Sequence, residues 1–141
     1  KILDPALIRE ALYIRAMAYN QNGDSAKAFN DFKSLSENCL DEYGAEAQYN
    51  IELYFFNSGD LASAEKEIFE FIEKNTPHQY WLAKSFILLS DIYMKQGKDF
   101  EAKQYLLSVR ENYKGKDDIA SEIKMRLDEI ENREFDKIVN E

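Results

Sequence analysis

Three glycines recur along the chain at the same phase of a repeated helical pattern. Gly23, Gly59 and Gly97 lie 36 and 38 residues apart. An aromatic residue precedes each glycine by four positions, an alanine follows each glycine by five, and a large apolar residue follows each alanine by four. These columns are Tyr19, Phe55 and Tyr93; Ala28, Ala64 and Ala102; and Phe32, Ile68 and Leu106. Self-similarity at a fixed period of this length is the signature of a repeat architecture.

Each copy has the pattern of two helices joined by a tight turn. In the first copy one apolar stripe precedes Gly23 and another follows it: Leu12, Ala16 and Tyr19, then Ala28, Phe32 and Leu35. Gly23 can adopt positive φ where the first helix ends, and Asp24 or Ser25 can cap the second. A single helical hairpin would leave its apolar face in water, so we expect the copies to stack.

The predicted fold is therefore all-α, a superhelix of about three αα-hairpins with a C-terminal capping helix. We predict a single repeat domain over residues 1–141, with repeats at about 9–40, 45–77 and 81–113 and the capping helix at about 118–139. The capping helix is indicated by an apolar stripe opposite a highly charged face: Ile119, Ile123, Leu127 and Ile130. With 5 Gly and 2 Pro, the chain has too few turn residues for a fold of many short strands.

The two prolines allow an inference about the start of the chain. Pro77 follows Gly59 by 18 residues, and Pro5 precedes Gly23 by 18 residues. With a period of 36, the segment Lys1–Pro5 is predicted to be the tail of an upstream repeat, and the chain a C-terminal fragment of a longer repeat protein. The alternative is an ordinary proline near the start of a first helix.

Composition excludes several classes of function. A net charge of -9 and a pI of about 4.7 argue against nucleic-acid binding. No apolar run approaches the ~18 residues of a membrane span, so no membrane insertion is expected within this segment. One cysteine and one histidine cannot build a metal cluster, and the chain lacks a glycine-rich phosphate loop. We therefore predict no enzyme, no catalytic residue, no metal and no cofactor.

The acidic excess is concentrated in the middle of the chain. Residues 41–75 contain nine acidic and two basic residues, whereas residues 1–40 contain five of each. An acidic surface on the middle repeat could attract a basic partner segment. The preferred alternative is a solvated helix surface that keeps the protein soluble.

At these repeat positions the chain resembles the tetratricopeptide repeat (TPR) family, over residues 9–113. The family's small-residue position holds Ala16 and Ser90 in the first and third copies, but the larger Glu52 in the second. Proline ends only one copy, at Pro77, and the copies exceed the family's 34 residues. The chain looks most like divergent bacterial TPR proteins of the cell envelope. That resemblance favours the periplasm or cell envelope over the cytoplasm, although the compartment itself stays unknown.

The resemblance implies a concave groove, lined by the first helices of successive repeats, that binds a partner peptide or helix. The side chains facing it would be Tyr13, Met17 and Asn20; Tyr49, Leu53 and Phe56; and Ile87, Asp91 and Met94. Seven of these nine are aromatic or aliphatic, which suits an apolar interface. The alternative is that Tyr13, Leu53 and Ile87 are core residues. A Lys and Asn clamp for acidic chaperone tails is not expected, because its places hold Tyr13, Met17, Tyr49 and Leu53.

The connection between the second and third repeats is the most unusual segment. It concentrates His78, Tyr80 and Trp81, which could form an interaction hot spot or a plug that packs the loop. The predicted function is a non-enzymatic protein–protein interaction scaffold whose partner is a protein or peptide, basic or apolar. The alternative is a structural or capping segment of a longer array, or an oligomerisation module, and a homo-oligomer is left open.

Overall fold

The computed structural model describes residues 3–140, and all regular structure in this range is α-helical. The described helices are α1 (Pro5–Gln21), α2 (Ser25–Leu35), α3 (Glu42–Asn57), α4 (Leu61–Glu73), α5 (Gln79–Lys95), α6 (Asp99–Asn112) and α7 (Ile119–Val139). The prediction of an all-α fold built from αα-hairpins is confirmed.

The turns inside the hairpins occur at the three periodic glycines. Gly23, Gly59 and Gly97 have φ of 82°, 85° and 76°, a backbone region that glycine adopts without steric cost. Each lies between the two helices of one copy. A glycine with positive φ thus recurs once in each repeat, at the turn between its two helices, as the sequence predicted.

Helix α1 begins four residues before the predicted start of the first repeat. The Asp4 carboxylate accepts a hydrogen bond from the backbone N–H of Ala6 at 3.0 Å, and Pro5 is the first helical residue. Proline is favoured there because its fixed φ suits a helix and its missing N–H would have no intrahelical partner. Pro5 therefore has the ordinary helix-starting role that was left open as the alternative. Lys1 and Ile2 of the predicted upstream tail lie outside the described residues.

The chain divides into two compact units, one ending at Leu82 and the other beginning at Ala83, within α5. In the first unit, α1 pairs with α2, α3 pairs with α4, and α2 also packs on α3. Its main core comprises Ala16, Ala28, Phe32, Leu35, Ala47 and Ile51. A second buried cluster comprises Cys39, Ala45 and Phe71, with Trp81 and Leu82 packed against it. The single repeat domain over residues 1–141 stays a prediction.

The second unit contains the rest of α5 together with α6 and α7. Its buried apolar residues on α6 and α7 are Ala102, Leu106, Val109, Ile119, Ile123 and Ile130. Tyr93 of α5 stacks on Tyr105 of α6, with ring centroids 5.7 Å apart. On α7 the predicted stripe faces inward, although Leu127 is only half-buried. Beyond Ile130, all described residues except the half-buried Arg133 are exposed, so the end of α7 covers little of this unit.

Candidate functional site

Six of the nine predicted groove residues lie in the first unit. We call them the inner stripe: Tyr13, Met17 and Asn20 on α1, and Tyr49, Leu53 and Phe56 on α3. Residues three and four apart share one face of a helix, so each trio forms a row. Asn20 is exposed and the other five are half-buried. The inner stripe therefore packs against its neighbours and still offers surface to a partner.

Tyr13 is held in place by two contacts to α3. Its hydroxyl donates a hydrogen bond to Glu46 Oε2 at 2.9 Å, and its ring lies 4.9 Å from that of Tyr43. Burial, followed by the hydrogen bond to Glu46, raises the pKa of Tyr13 to about 12. Burial also raises the pKa of Glu46, although the Tyr13 hydroxyl opposes this effect. At neutral pH, Tyr13 is therefore a neutral, oriented donor that links the first helices of two repeats.

The structure brings one inner-stripe residue together with two residues of the predicted hot spot. Tyr49, Tyr80 and Trp81, which we call the aromatic triad, have centroid distances of 5.6 Å for Tyr49–Trp81 and 5.0 Å for Tyr80–Trp81. The Tyr80 and Trp81 rings are nearly perpendicular, at 88°. Trp81 packs against the buried cluster around Phe71, yet all three triad residues remain half-buried. The triad thus combines packing with an accessible aromatic surface.

His78 is engaged in holding the loop before α5. Its backbone N–H donates to Thr76 Oγ1 at 3.2 Å, and the Thr76 hydroxyl donates to the Cys39 carbonyl at 2.7 Å. The His78 ring Nε2 bonds the Leu40 carbonyl at 3.0 Å. These bonds tie the loop to the turn before α3, which is the role expected of a packed plug.

A cavity of about 330 Å³ opens where the C-terminal halves of α1 and α3 meet the N-terminal half of α2. We call it the amide pocket. Its lining residues are Asn20, Ser25, Ala28, Phe29, Phe32, Asn50, Leu53, Tyr54, Asn57 and Ser58. Phe29 and Tyr54 form an aromatic wall, with ring centroids 4.6 Å apart. Two inner-stripe residues, Asn20 and Leu53, belong to this pocket, so the stripe leads into a concave site.

Of the remaining three predicted groove residues, in the second unit, two are buried and Asp91 is half-buried. Ile87 and Met94 are 3% and 7% exposed. Arg126 of α7 donates to both carboxylate oxygens of Asp91, at 2.7 and 3.0 Å, and Lys84 of α5 pairs with α7 at Glu122. Lys84, Ile87, Asp91 and Met94 share one face of α5, so this face lies against α7. Ile87 and Met94 are core here, and Asp91 is a structural ion-pair partner.

The predicted groove rows did not include three α3 residues that line the amide pocket: Asn50, Tyr54 and Asn57. Asn50 and Asn57 are seven residues apart on α3 and flank Leu53, so their spacing placed them beside the predicted row. The available signal was this pair of amides, one on each side of the predicted row in the sequence of α3. Their convergence with Asn20 could not be deduced, because Asn20 lies on another helix.

Two further surveys of the described residues bear on function. Among residues 3–140, no cluster of three or more His, Cys, Asp or Glu side chains has an arrangement that could hold a metal ion. Over the same range, no helix combines the length and the apolar character needed to cross a membrane.

Comparison with known proteins identifies the repeats. A family model described as tetratricopeptide repeat matches residues 10–39 and 79–115, which contain most of α1, all of α2, and all of α5 and α6. The unmatched middle hairpin carries the fully buried Glu52 where the other copies have Ala16 and Ser90. No curated protein and no solved structure gives a significant match to the chain.

Repeats of this family generally mediate protein–protein interactions and are typically non-catalytic modules. The two matched segments coincide with two of the three glycine-centred hairpins that the period of the sequence predicted. The chain therefore contains repeats of the tetratricopeptide family.

Proposed function

We propose that the chain is a protein-interaction scaffold that binds a partner peptide or helix along the inner stripe of the first unit. The observation that carries this proposal is the amide pocket, because it places Asn20 and Leu53 in a concave site. A volume of about 330 Å³ lies at the small end of the range for ligand pockets. It suits one large side chain of a partner better than an entire small-molecule ligand.

The lining of the pocket defines what that side chain should be. Leu53, Phe29 and Tyr54 supply apolar and aromatic surface for an aliphatic or aromatic anchor. Asn20 and Asn57 supply amides that can both donate and accept hydrogen bonds at the peptide groups around the anchor. An apolar anchor surrounded by hydrogen-bonded polar groups is the usual composition of an interaction hot spot.

Charge supports a basic partner. Residues 1–82 contain fourteen acidic and seven basic side chains, whereas residues 83–141 contain thirteen and eleven. The unit that carries the amide pocket thus has most of the negative charge. Complementary charge accelerates encounter and weakens with ionic strength. The proposed partner is a basic segment with one large apolar residue.

The experiment is selection of binding peptides from a random display library on the immobilised chain, followed by affinity measurements with pocket variants. Leu53→Trp fills the pocket, and we expect the selected peptides to bind it at least about tenfold more weakly. The matched control is Leu40→Trp, the same substitution at a leucine that is 66% exposed and does not line the pocket. It should leave affinity unchanged.

The salt dependence and a second substitution complete the test. Affinity should fall as ionic strength rises, and Asn20→Ala should also weaken binding. The proposal is wrong if the selected peptides bind Leu53→Trp as tightly as the original chain. It is also wrong if no peptide of any sequence is selected on the folded chain.

A further inference from the structure

The inner stripe changes character along α3, from the amide pocket toward the start of the helix. Leu53 lines the pocket, Tyr49 lies four residues earlier, and Glu46 lies three residues before Tyr49. Residues three and four apart share one face of a helix, so these side chains form a row. Tyr49 belongs to the aromatic triad, and Glu46 accepts the hydrogen bond of Tyr13. A carboxylate and an aromatic cluster thus adjoin each other beside the pocket.

The aromatic triad forms a corner rather than a flat stack. The Tyr80 and Trp81 rings are nearly perpendicular, at 88°, whereas the Tyr49 ring is inclined at 39° to Trp81. All three residues are half-buried, so part of each side chain reaches the surface. The faces of aromatic rings are electronegative, and clusters of such rings bind cationic groups. The geometry of the triad therefore suits a positively charged group.

Glu46 supplies a negative charge at the side of the triad. Its Oε2 atom accepts from the Tyr13 hydroxyl at 2.9 Å, which orients the carboxylate. A carboxylate has two oxygens and about four acceptor positions, so Oε1 can accept from a second donor. Glu42, one turn earlier on the same face of α3, is exposed and adds a further negative charge. This end of the inner stripe therefore combines aromatic surface with acidic groups.

We propose that Glu46 and the aromatic triad form a binding site for an arginine side chain of the partner. Arginine has a planar guanidinium that stacks on aromatic rings and presents several N–H donors to one carboxylate, whereas lysine offers a strongly hydrated point charge. The acidic excess of residues 1–82 attracts a partner of this charge. The site rests on the proposed function, because it assigns a second residue of the basic partner to the same inner stripe.

The distance between the two sites along α3 sets the spacing of the two partner residues. A helix rises about 1.5 Å per residue, so Leu53 lies about 6 Å from Tyr49 and about 10 Å from Glu46 along the helix axis. In an extended peptide, residues two and three positions apart are separated by about 7 and 10 Å. We therefore expect the arginine two or three positions from the apolar anchor in an extended partner. In a helical partner, we expect it four or seven positions away.

The first test uses a small probe and needs no peptide. N-acetyl-arginine amide is titrated into the isotope-labelled full chain, and N-acetyl-citrulline amide, which has a similar shape but no charge, is the control ligand. Trp81 is the only tryptophan, so its indole N–H signal is assigned at once. We expect a saturable shift of this signal with a dissociation constant on the order of 10 mM for the arginine derivative. The proposal is overturned if both derivatives shift the signal alike.

The variants test whether the charge of Glu46 is the one that matters. Glu46→Gln removes the charge but keeps an oxygen that can accept from Tyr13, and it should abolish the saturable shift. The matched control is Glu70→Gln, the same change of net charge at an exposed residue on the side of α4 opposite the buried Ile68. It should leave the shift unchanged. If the two variants weaken binding equally, general attraction explains the binding and the proposed site is wrong.

Peptides from the display selection separate this site from the amide pocket. Replacing the arginine of a selected peptide by citrulline should weaken binding at least about tenfold, and Glu46→Gln should remove this difference. A peptide with lysine at that position should also bind more weakly, and equal affinity would overturn the assignment to arginine. If Leu53→Trp abolishes binding but Glu46→Gln has no effect, the proposed function stands and the arginine site is wrong. If only Glu46→Gln weakens binding, the arginine site stands and the amide pocket is wrong.

Discussion

Substitution of Gly44 by alanine tests the packing of α2 on α3 most directly. Gly44 lies in the first turn of α3, and its N–H donates to the Asp41 carboxylate at 2.8 Å. A Cβ at this position would overlap the Asn38 carbonyl oxygen and lie 2.6 Å from its carbonyl carbon. It would also lie 2.9 Å from the Leu35 carbonyl oxygen. All of these atoms are backbone, so no side-chain rotation can relieve the overlap.

Two effects of opposite sign decide the magnitude. Within a helix, alanine is more favourable than glycine by about 1 kcal/mol, so propensity alone predicts that Gly44→Ala stabilises the protein. Forcing a methyl group against fixed backbone costs about 3 kcal/mol, the upper end for overpacking, because the end of α2 must move away from α3. The net expectation is a loss of about 2 kcal/mol in the free energy of unfolding. For a unit of this size, the loss lowers the melting temperature by about 8 °C or more.

Thermal and urea unfolding followed by circular dichroism measure the effect. Gly23→Ala is the control: Gly23 has φ of 82° but nothing within 4 Å of an added Cβ. It should lose only about 1 kcal/mol, from left-handed backbone strain. If Gly44→Ala is neutral or stabilising, the close approach of the end of α2 to the first turn of α3 is wrong.

Three further outcomes are expected from titration and from an ion pair. Burial and a hydrogen bond to a carboxylate raise the pKa of Tyr13 to about 12. The protonated Tyr13 therefore contributes to folding stability below pH 10.0, and this contribution is lost as pH rises through 12. Tyr13→Phe should lessen that loss in urea unfolding at alkaline pH. A hydrogen bond from Arg9 lowers the pKa of Asp41, so this contribution is present above pH of about 4 and lost as pH falls. Asp41→Asn should flatten the acid limb of the stability profile. Asp91→Asn should cost about 1 kcal/mol in thermal unfolding, because the pair with Arg126 is only about a quarter exposed.

Two of these predictions have a matched control variant, and the third has an outcome that would contradict it. Tyr19→Phe, on the same helix as Tyr13, should leave the alkaline loss as it is. Asp128→Asn removes an exposed ion pair with Lys124 and should produce no measurable change in melting temperature. Equal effects of Asp91→Asn and Asp128→Asn would contradict the structural role assigned to Asp91. An acid limb unaffected by Asp41→Asn would contradict the contribution of its pair with Arg9.

The repeat columns show how far sequence reasoning reaches. Ala16, Ala28, Ala64 and Ala102, all singled out from spacing, are at most 1% exposed. Spacing succeeds here because positions three and four apart share a helix face, and small residues are needed where helix axes approach. The same reasoning assigned Ile87 and Met94 to an open groove. It failed for these two because neighbouring residues on their face of α5 contact α7, and spacing along one helix does not say which other helix lies against it.

The candidate site shows the same limit. Asn20 and Leu53 were predicted from their rows, but the amide pocket exists only because Asn50, Tyr54 and Asn57 meet them from α3 and because α2 supplies a wall. Likewise, Tyr49 and Trp81 were assigned to separate features and prove to be ring neighbours 5.6 Å apart. Contacts between residues this distant in sequence depend on how the hairpins stack.

By itself, the sequence determined the helical class, the hairpin turns at Gly23, Gly59 and Gly97, and the alanine column of the core. These properties are local, since they follow from backbone conformation and from the 3.6-residue helical period. Only the tertiary structure decided which apolar faces are covered. Gly44 is buried beneath the end of α2, whereas Ile8, one repeat earlier, is half exposed. A side chain is buried only where a second helix packs against it. Residues at the same position of two repeats therefore differ in burial when the helices next to them differ.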